Sequence, residues 1–379
     1  MSRNMMNEKE IAEIRRRFRP DKSNINRIRG CYVNDQKEIV SEFRQSLGLM
    51  PQEESEELLT ILKKTLSGAV GKNLIDIEFT TQQVLEGGEH KLLMRLRDSS
   101  LEDDAAVRQF YENAIQTLDV EGNYLILLAY DKYDVPFYSK DGEKQEDSSE
   151  VFSYFLCSIC PVKMLKPSLG FYVSENEFRN ITSDWIVSPP ELGFMFPAFS
   201  DRSANLYNAV YYTRNLAENH KEFVEAVFKS EIPMPAAAQK ETFESILGDA
   251  VADDCSIDVV QTVHEQLSEM IEEHKANKED PLLISKETVK GILQSCGVSD
   301  SHMAQFGEKY DSEFGAGTEV CPQNIIDHKQ FEIRTPDVTV RVNPERSDLV
   351  ETRVIDGTKY ILIRADEGIE VNGVNINIS

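Results

Sequence analysis

Few residues stand at a spacing that chemistry needs. Cys157-Ser-Ile-Cys160 has the two-residue gap of a metal or redox pair. The run that holds it, Val151-Phe-Ser-Tyr-Phe-Leu-Cys-Ser-Ile-Cys160, reads as a strand, in which positions three apart face opposite sides. No second pair exists to complete a zinc site, so these read as buried structural thiols. His264 and His274 fall on one expected helix but about 15 Å apart at the helical rise, too far to share one ion. Lying among glutamates, they read as solvated. Gly68-Ala-Val-Gly71-Lys72-Asn73 lacks the first glycine of a phosphate loop and the hydroxyl that would hold magnesium. No Gly-x-Ser-x-Gly elbow is present. Asp103-Asp104 and Asp253-Asp254 stand at helix ends, where acids cap. No metal, no cofactor and no catalytic residue is therefore assigned.

What survives is cationic. Arg15, Arg16, Arg17, Arg19, Lys22, Arg27 and Arg29 crowd one segment, with Asn24 and Asn26 interleaved. Such residues contact phosphates and set a protein's register on nucleic acid, DNA or RNA. Residues 1–30 carry nine Lys or Arg against four Asp or Glu, whereas the whole chain carries −25. A basic arm on an acidic body is the pattern of a chain that meets an anionic partner. The same arm would equally suit docking on the acidic body of its own chain or of a second copy.

The elements that must position these residues follow from periodicity. Glu8–Phe18 has helical spacing and Pro20 ends it. A hairpin pairs 29–33 with 38–43 across Asn34-Asp35, and a helix runs from Pro51 with Leu58, Leu59, Leu62 and Leu66 on one face. Leu74–Phe79 alternates as a strand, and two helices, 89–98 and 102–118, lead into the central hairpin. That hairpin comprises Asn123–Tyr130 and Val151–Cys160, joined by an acidic turn over 139–150 with five acids and two lysines. Beyond Lys163 the pattern is irregular. Ser188–Phe199, rich in Pro, Gly and Phe, reads as a loop pinned over the core. Helices are expected at 205–229, 238–251, 256–276, 285–294 and 299–311, and residues 241–280 hold twelve acids against two lysines. Strands close the chain at 331–334, 338–342, 351–355 and 359–364, with Asp356-Gly357 as a hairpin turn.

The fold class is thus α+β: a mixed sheet with packed helices, then a helical region and a C-terminal β unit. The expected divisions are 1–200, 201–320 and 321–379. No apolar run is long enough for a membrane span, and the sparse cysteines suit a reducing cytoplasm.

The chain is similar to an uncharacterised bacterial domain-of-unknown-function family of anaerobic Gram-positive gut bacteria, over nearly its whole length. The residues that carry this include Ile11-Ala-Glu-Ile-Arg-Arg-Arg-Phe18, Arg27-Ile-Arg-Gly-Cys-Tyr-Val33, Gly71-Lys-Asn-Leu-Ile-Asp76 and Glu121-Gly-Asn-Tyr-Leu-Ile-Leu-Leu128. Further matches are Cys157-Ser-Ile-Cys-Pro-Val162, Pro190-Glu-Leu-Gly-Phe194, Val342-Asn-Pro-Glu-Arg-Ser-Asp-Leu-Val350 and Lys359-Tyr-Ile-Leu-Ile-Arg-Ala-Asp366. The order of elements also resembles the nucleoid-associated family of the NdpA (YejK) type, which is acidic yet nucleoid-bound. There the likeness lies in Val338–Val342, Arg353–Asp356, Tyr360–Ile363 and the helices from Tyr207 through Ile292. The arginine-rich segment has no counterpart in that family.

The expected function is a non-enzymatic, nucleoid-type nucleic-acid-associated protein, a cytoplasmic or nucleoid homo-oligomer. One alternative is an enzyme of unknown reaction built near 188–214, with Glu191, Asp201, Arg202, Tyr207 and Arg214 as polar groups. The other is a protein-interaction or assembly module using the 188–199 loop and the acidic helices.

Overall fold

The computed structural model describes residues 6–138, 144–164, 168–181, 185–251, 256–277, 281–365 and 368–376. They fall into two compact units, Met1–Pro235 with Lys278–Pro281, and Ala236–Asn277 with Leu282–Ser379. The class is α+β.

In the first unit an antiparallel sheet is built from β1 (Arg27–Val33), β2 (Ile39–Ser46), β3 (Leu74–Glu78), β4 (Tyr124–Tyr138) and β5 (Lys144–Met164). After a hairpin of β6 (Ser168–Tyr172) and β7 (Glu177–Ile181) come β8 (Trp185–Val187), β9 (Leu192–Phe196), β10 (Ala198–Ser200), β11 (Ser203–Asn205) and β12 (Asn208–Thr213). The spatial order is β2-β1-β4-β5-β9-β12-β3, with β8 on the end of β5 and β10–β11 as a separate ribbon. The long β4–β5 pair is central, as its aromatic and branched residues require.

Helices cover both faces. One layer contains α3 (Thr81–Glu86), α4 (Gly88–Asp98), α5 (Asp104–Thr117) and α6 (Lys221–Phe228), and buries Phe110, Tyr111, Phe194 and Phe223 together with Cys31 and Cys157. The other carries α1 (Glu8–Arg15) and α2 (Gln52–Lys64), and buries Ile11, Ile14, Leu62, Phe152, Phe199 and Cys160. Cys157 and Cys160 thus face opposite layers, as strand geometry demands. Asn7 and Glu10 form a capping box that starts α1, and a 3₁₀ turn over Arg16–Phe18 ends it before Pro20.

Several expectations are corrected. Residues 144–150 belong to strand β5, not to a turn; the rest of that expected turn, 139–143, lies outside the described residues. Ser188–Phe199 is no loop over the core. It contains β9 and β10, fully buried, with Phe194 and Phe196 in one layer and Phe199 in the other. The helix expected at 205–229 is instead β12, every residue buried, followed by the short α6. A strand covered on both faces loses the alternation that would mark it. The β1–β2 turn spans Asn34 to Lys37, with Lys37 left-handed, and a bulge at Tyr32/Val33 resets the register.

In the second unit α7 (Ala236–Val251), α8 (Ile257–Asn277), α9 (Lys286–Ser295), α10 (Asp300–Phe314) and α11 (Pro322–Ile325) surround one core of Phe243, Leu267, Leu293, Phe306 and Tyr310. Hairpins follow: β13 (Phe331–Arg334) with β14 (Thr339–Val342), β15 (Val350–Ile355) with β16 (Thr358–Ile363), and β17 (Ile369–Val371) with β18 (Val374–Ile376).

Candidate nucleic-acid interface

The seven basic residues of the N-terminal segment divide by what they touch. Arg15, at the end of α1, bonds the carbonyls of Leu66 (2.5 Å, Nε) and Gly68 (2.8 Å, Nη2). The loop resembling a phosphate loop is therefore a turn pinned by α1. Arg17 pairs with Asp131 of β4 at 3.2 Å, with side chains 12% and 1% exposed, and its guanidinium lies 4.9 Å from the Tyr133 ring centroid. Burial pushes the Asp131 carboxyl above its ordinary range, against the pull of Arg17 and of the Tyr154 hydroxyl, which donates to it at 2.9 Å. Arg29 on β1 is buried and bonds the Leu101 carbonyl (2.8 Å) and Asp104 (2.7 Å). Arg16, Arg19, Lys22 and Arg27 are exposed. Three arginines thus fasten the segment while four cations face solvent.

The fastening continues along its length. Glu13 of α1 accepts from the Tyr133 hydroxyl (2.5 Å) and from Arg202 (3.0 Å), and Glu10 accepts from the Asp201 amide (2.8 Å). Asn24 donates to the Lys132 carbonyl at 2.8 Å. The segment is held along the sheet rather than free as an arm.

Where it joins β1, a cleft of about 440 Å³ opens. Arg27 and Arg29 of β1, Arg44 of β2, and Tyr130 and Lys132 of β4 line it, with Glu102 on its rim. Strand registers Arg29↔Arg44 and Arg29↔Leu128 put these side chains on one sheet face, because directly opposed residues and every second residue share a face. Glu102 receives Arg27 at 3.0 Å and Arg44 at 3.6 Å, and Asp104 receives both Arg29 and Arg44. The Arg29 bond, the largest influence, holds the Asp104 carboxyl below its ordinary value. Asp103 caps α5 by accepting from the Ala106 amide; Asp253-Asp254 lies outside the described residues. Arg44, Tyr130 and Lys132 escaped sequence reasoning. For Arg44 the signal was the β1–β2 hairpin register, which a two-residue turn misplaced; Tyr130 and Lys132 join through the non-local β1–β4 pairing.

The alternative enzyme residues are not gathered. Glu191 pairs with Arg214 where β9 begins and β12 ends. Arg202 pairs with Glu13 beyond β10, and the Tyr207 carbonyl accepts from the Phe79 amide at the start of β12. The length of a six-residue strand, about 20 Å, separates the two ends. His264 is half-buried, bonded to the Asp327 carbonyl (2.9 Å) and edge-on to Phe331, so it is not solvated. Among the described residues no three His, Cys, Asp or Glu side chains form a metal-binding group. Burial pushes the Cys31 and Cys160 thiols up to about 12 and the Cys157 thiol well above its ordinary value, which makes them inert. No helix is long and apolar enough to cross a membrane among the described residues.

Residues 6–374 match a family described as Domain of unknown function (DUF4317). No curated protein shows a significant match.

Proposed function

From the premise that the chain belongs to this DUF4317 family, whose description assigns no activity, we propose that it is a non-enzymatic nucleic-acid-associated protein of the nucleoid type. Its backbone-binding surface is the segment Arg16–Arg27. The observation that carries the reading is the division of labour described above. Arg15, Arg17 and Arg29 are spent on intramolecular bonds, while the exposed Arg16, Arg19 and Lys22, and Arg27 in a solvent-exposed pair with Glu102, are held on a fixed frame. Cations presented on rigid backbone lose little freedom on meeting phosphates. The −25 net charge repels a polyanion elsewhere on the chain and confines contact to this surface.

The test is an electrophoretic shift of duplex DNA and of RNA at low salt, with wild type and with Arg16→Glu/Arg19→Glu/Lys22→Glu. The triple variant touches no fastening residue, so its circular dichroism stays native while retention is abolished. Equal retention by the variant, or none by wild type, refutes the reading. Homo-oligomerisation accompanies it; sedimentation as a single 43.1 kDa species at micromolar concentration counts against that part.

A further inference from the structure

The cleft beside the exposed cations is built unlike a surface ion-pair cluster. Arg29 is only 8% exposed and reaches Asp104 and the Leu101 carbonyl through Nη1. Its Nε, out of solvent, has no hydrogen-bond partner. A buried guanidinium N–H without an acceptor is rare in a folded chain; closed to solvent as it is, this one leaves positive charge beneath the cleft that is only partly compensated.

The charges around it do not cancel. Arg27, Arg29, Arg44 and Lys132 set four positive charges against the two carboxylates of Glu102 and Asp104. The Lys132 ammonium makes no ion pair with another described residue and lies 6.0 Å from the centroid of the Tyr130 ring. A surplus of two positive charges matches a phosphate monoester, which carries about −1.5 to −2 at neutral pH. Glu102, half exposed, is a weak partner for Arg27 and Arg44 and yields to a doubly charged competitor. Guanidinium forks suit phosphate in particular, since they bond two of its oxygens at once. The volume, about 440 Å³, falls within the range of small-ligand sites and exceeds what a phosphate alone needs. The half-buried Tyr130 ring supplies a face on which a planar base stacks.

We infer that this cleft binds a nucleotide, its phosphate on Arg27, Arg44 and Lys132 over the buried charge of Arg29, its base against Tyr130. The nucleotide is either free or the phosphorylated end of a strand; only the second source rests on the nucleic-acid reading above.

Isothermal titration of the full chain with adenosine monophosphate, inorganic phosphate and adenosine tests it. The monophosphate binds best, phosphate more weakly, and adenosine not detectably. Arg44→Ala with Lys132→Ala weakens the monophosphate at least tenfold. Glu102→Gln, an exposed isosteric change, tightens it about three- to tenfold because one competing charge is gone. No heat with monophosphate at millimolar concentration, or a Glu102→Gln variant that binds equally or more weakly, overturns the inference. Oligonucleotides with a 5′-phosphate or a 5′-hydroxyl separate the sources: tighter binding of the former assigns a strand end, and equal binding beside a bound monophosphate assigns the free nucleotide. Arg16→Glu/Arg19→Glu/Lys22→Glu keeps monophosphate binding while losing DNA, so the two proposals fail separately.

Discussion

Replacing Asp131 by alanine strikes the point at which the N-terminal segment is fastened to the sheet. The carboxylate is 1% exposed and receives Arg17 at 3.2 Å and the Tyr154 hydroxyl at 2.9 Å. Its removal leaves a guanidinium, only 12% exposed, without a counter-ion inside the fold. Breaking one member of a buried ion pair costs about 3–5 kcal/mol, and an orphaned buried hydroxyl about 1–3 kcal/mol. The two losses share one site and do not add, so about 4 kcal/mol is expected. Arg17→Met is the complementary probe. Burial already raises the Asp131 carboxyl, and without Arg17 nothing charged opposes that rise. An acid whose folded pKa lies above its unfolded value of about 3.9 binds more protons when folded. Its favourable contribution is complete below the unfolded value and is lost as pH rises through the folded one. Arg17→Met is therefore more stable near pH 5 than near pH 8, relative to wild type. Arg17→Met with Asp131→Leu is less destabilised than Asp131→Ala, since no buried charge is left. Urea unfolding followed by circular dichroism measures all three. A cost below about 1 kcal/mol for Asp131→Ala, or no pH dependence in Arg17→Met, refutes the buried-pair account.

Other outcomes follow from the same packing. Gly193→Ala places a Cβ against the Cys157 carbonyl and the Thr65 methyl, where β9 runs beside β5; a loss of about 1–3 kcal/mol is expected in urea unfolding. Asp103→Ala removes the α5 cap and lowers stability in the same assay, an effect that shrinks as acid titrates the carboxyl in wild type. Native-state thiol labelling near pH 8 modifies half-buried Cys296 well before Cys31, Cys157 or Cys160. The thiolate fraction of the Cys31 and Cys160 thiols is about one part in 10⁴, and all three are buried; labelling of Cys157 at the rate of a free thiol contradicts the layer assignment.

Long periodic stretches were readable from the chain itself. Helices α7 through α10 follow their 3.6-residue stripes, and the β4–β5 pair follows its aromatic and branched content. The strand β12 was not, because Asn208-Ala-Val-Tyr-Tyr-Thr213 is buried on both faces and shows no alternation between helix-compatible neighbours. β9 was hidden by its glycine and flanking prolines, which locally favour loops. The basic segment was legible as a cluster and illegible in its roles. Arg15, Arg17 and Arg29 find partners 51, 114 and 75 residues away, and no local rule foretells which arginine a distant carbonyl or carboxylate will claim. The cleft failed for a narrower reason: Arg44 enters it only through the Arg29↔Arg44 register, which a longer turn and a bulge displaced.

The salt dependence of wild-type binding measures the phosphate contacts themselves. Four exposed cations, Arg16, Arg19, Lys22 and Arg27, predict a slope of log affinity against log salt of about −3 to −4 on duplex DNA. That corresponds to roughly a hundredfold loss between about 50 and 200 mM. Fluorescence anisotropy titrations across that range return this slope if the segment is the interface. A slope near zero, or no binding at the lowest salt, contradicts it.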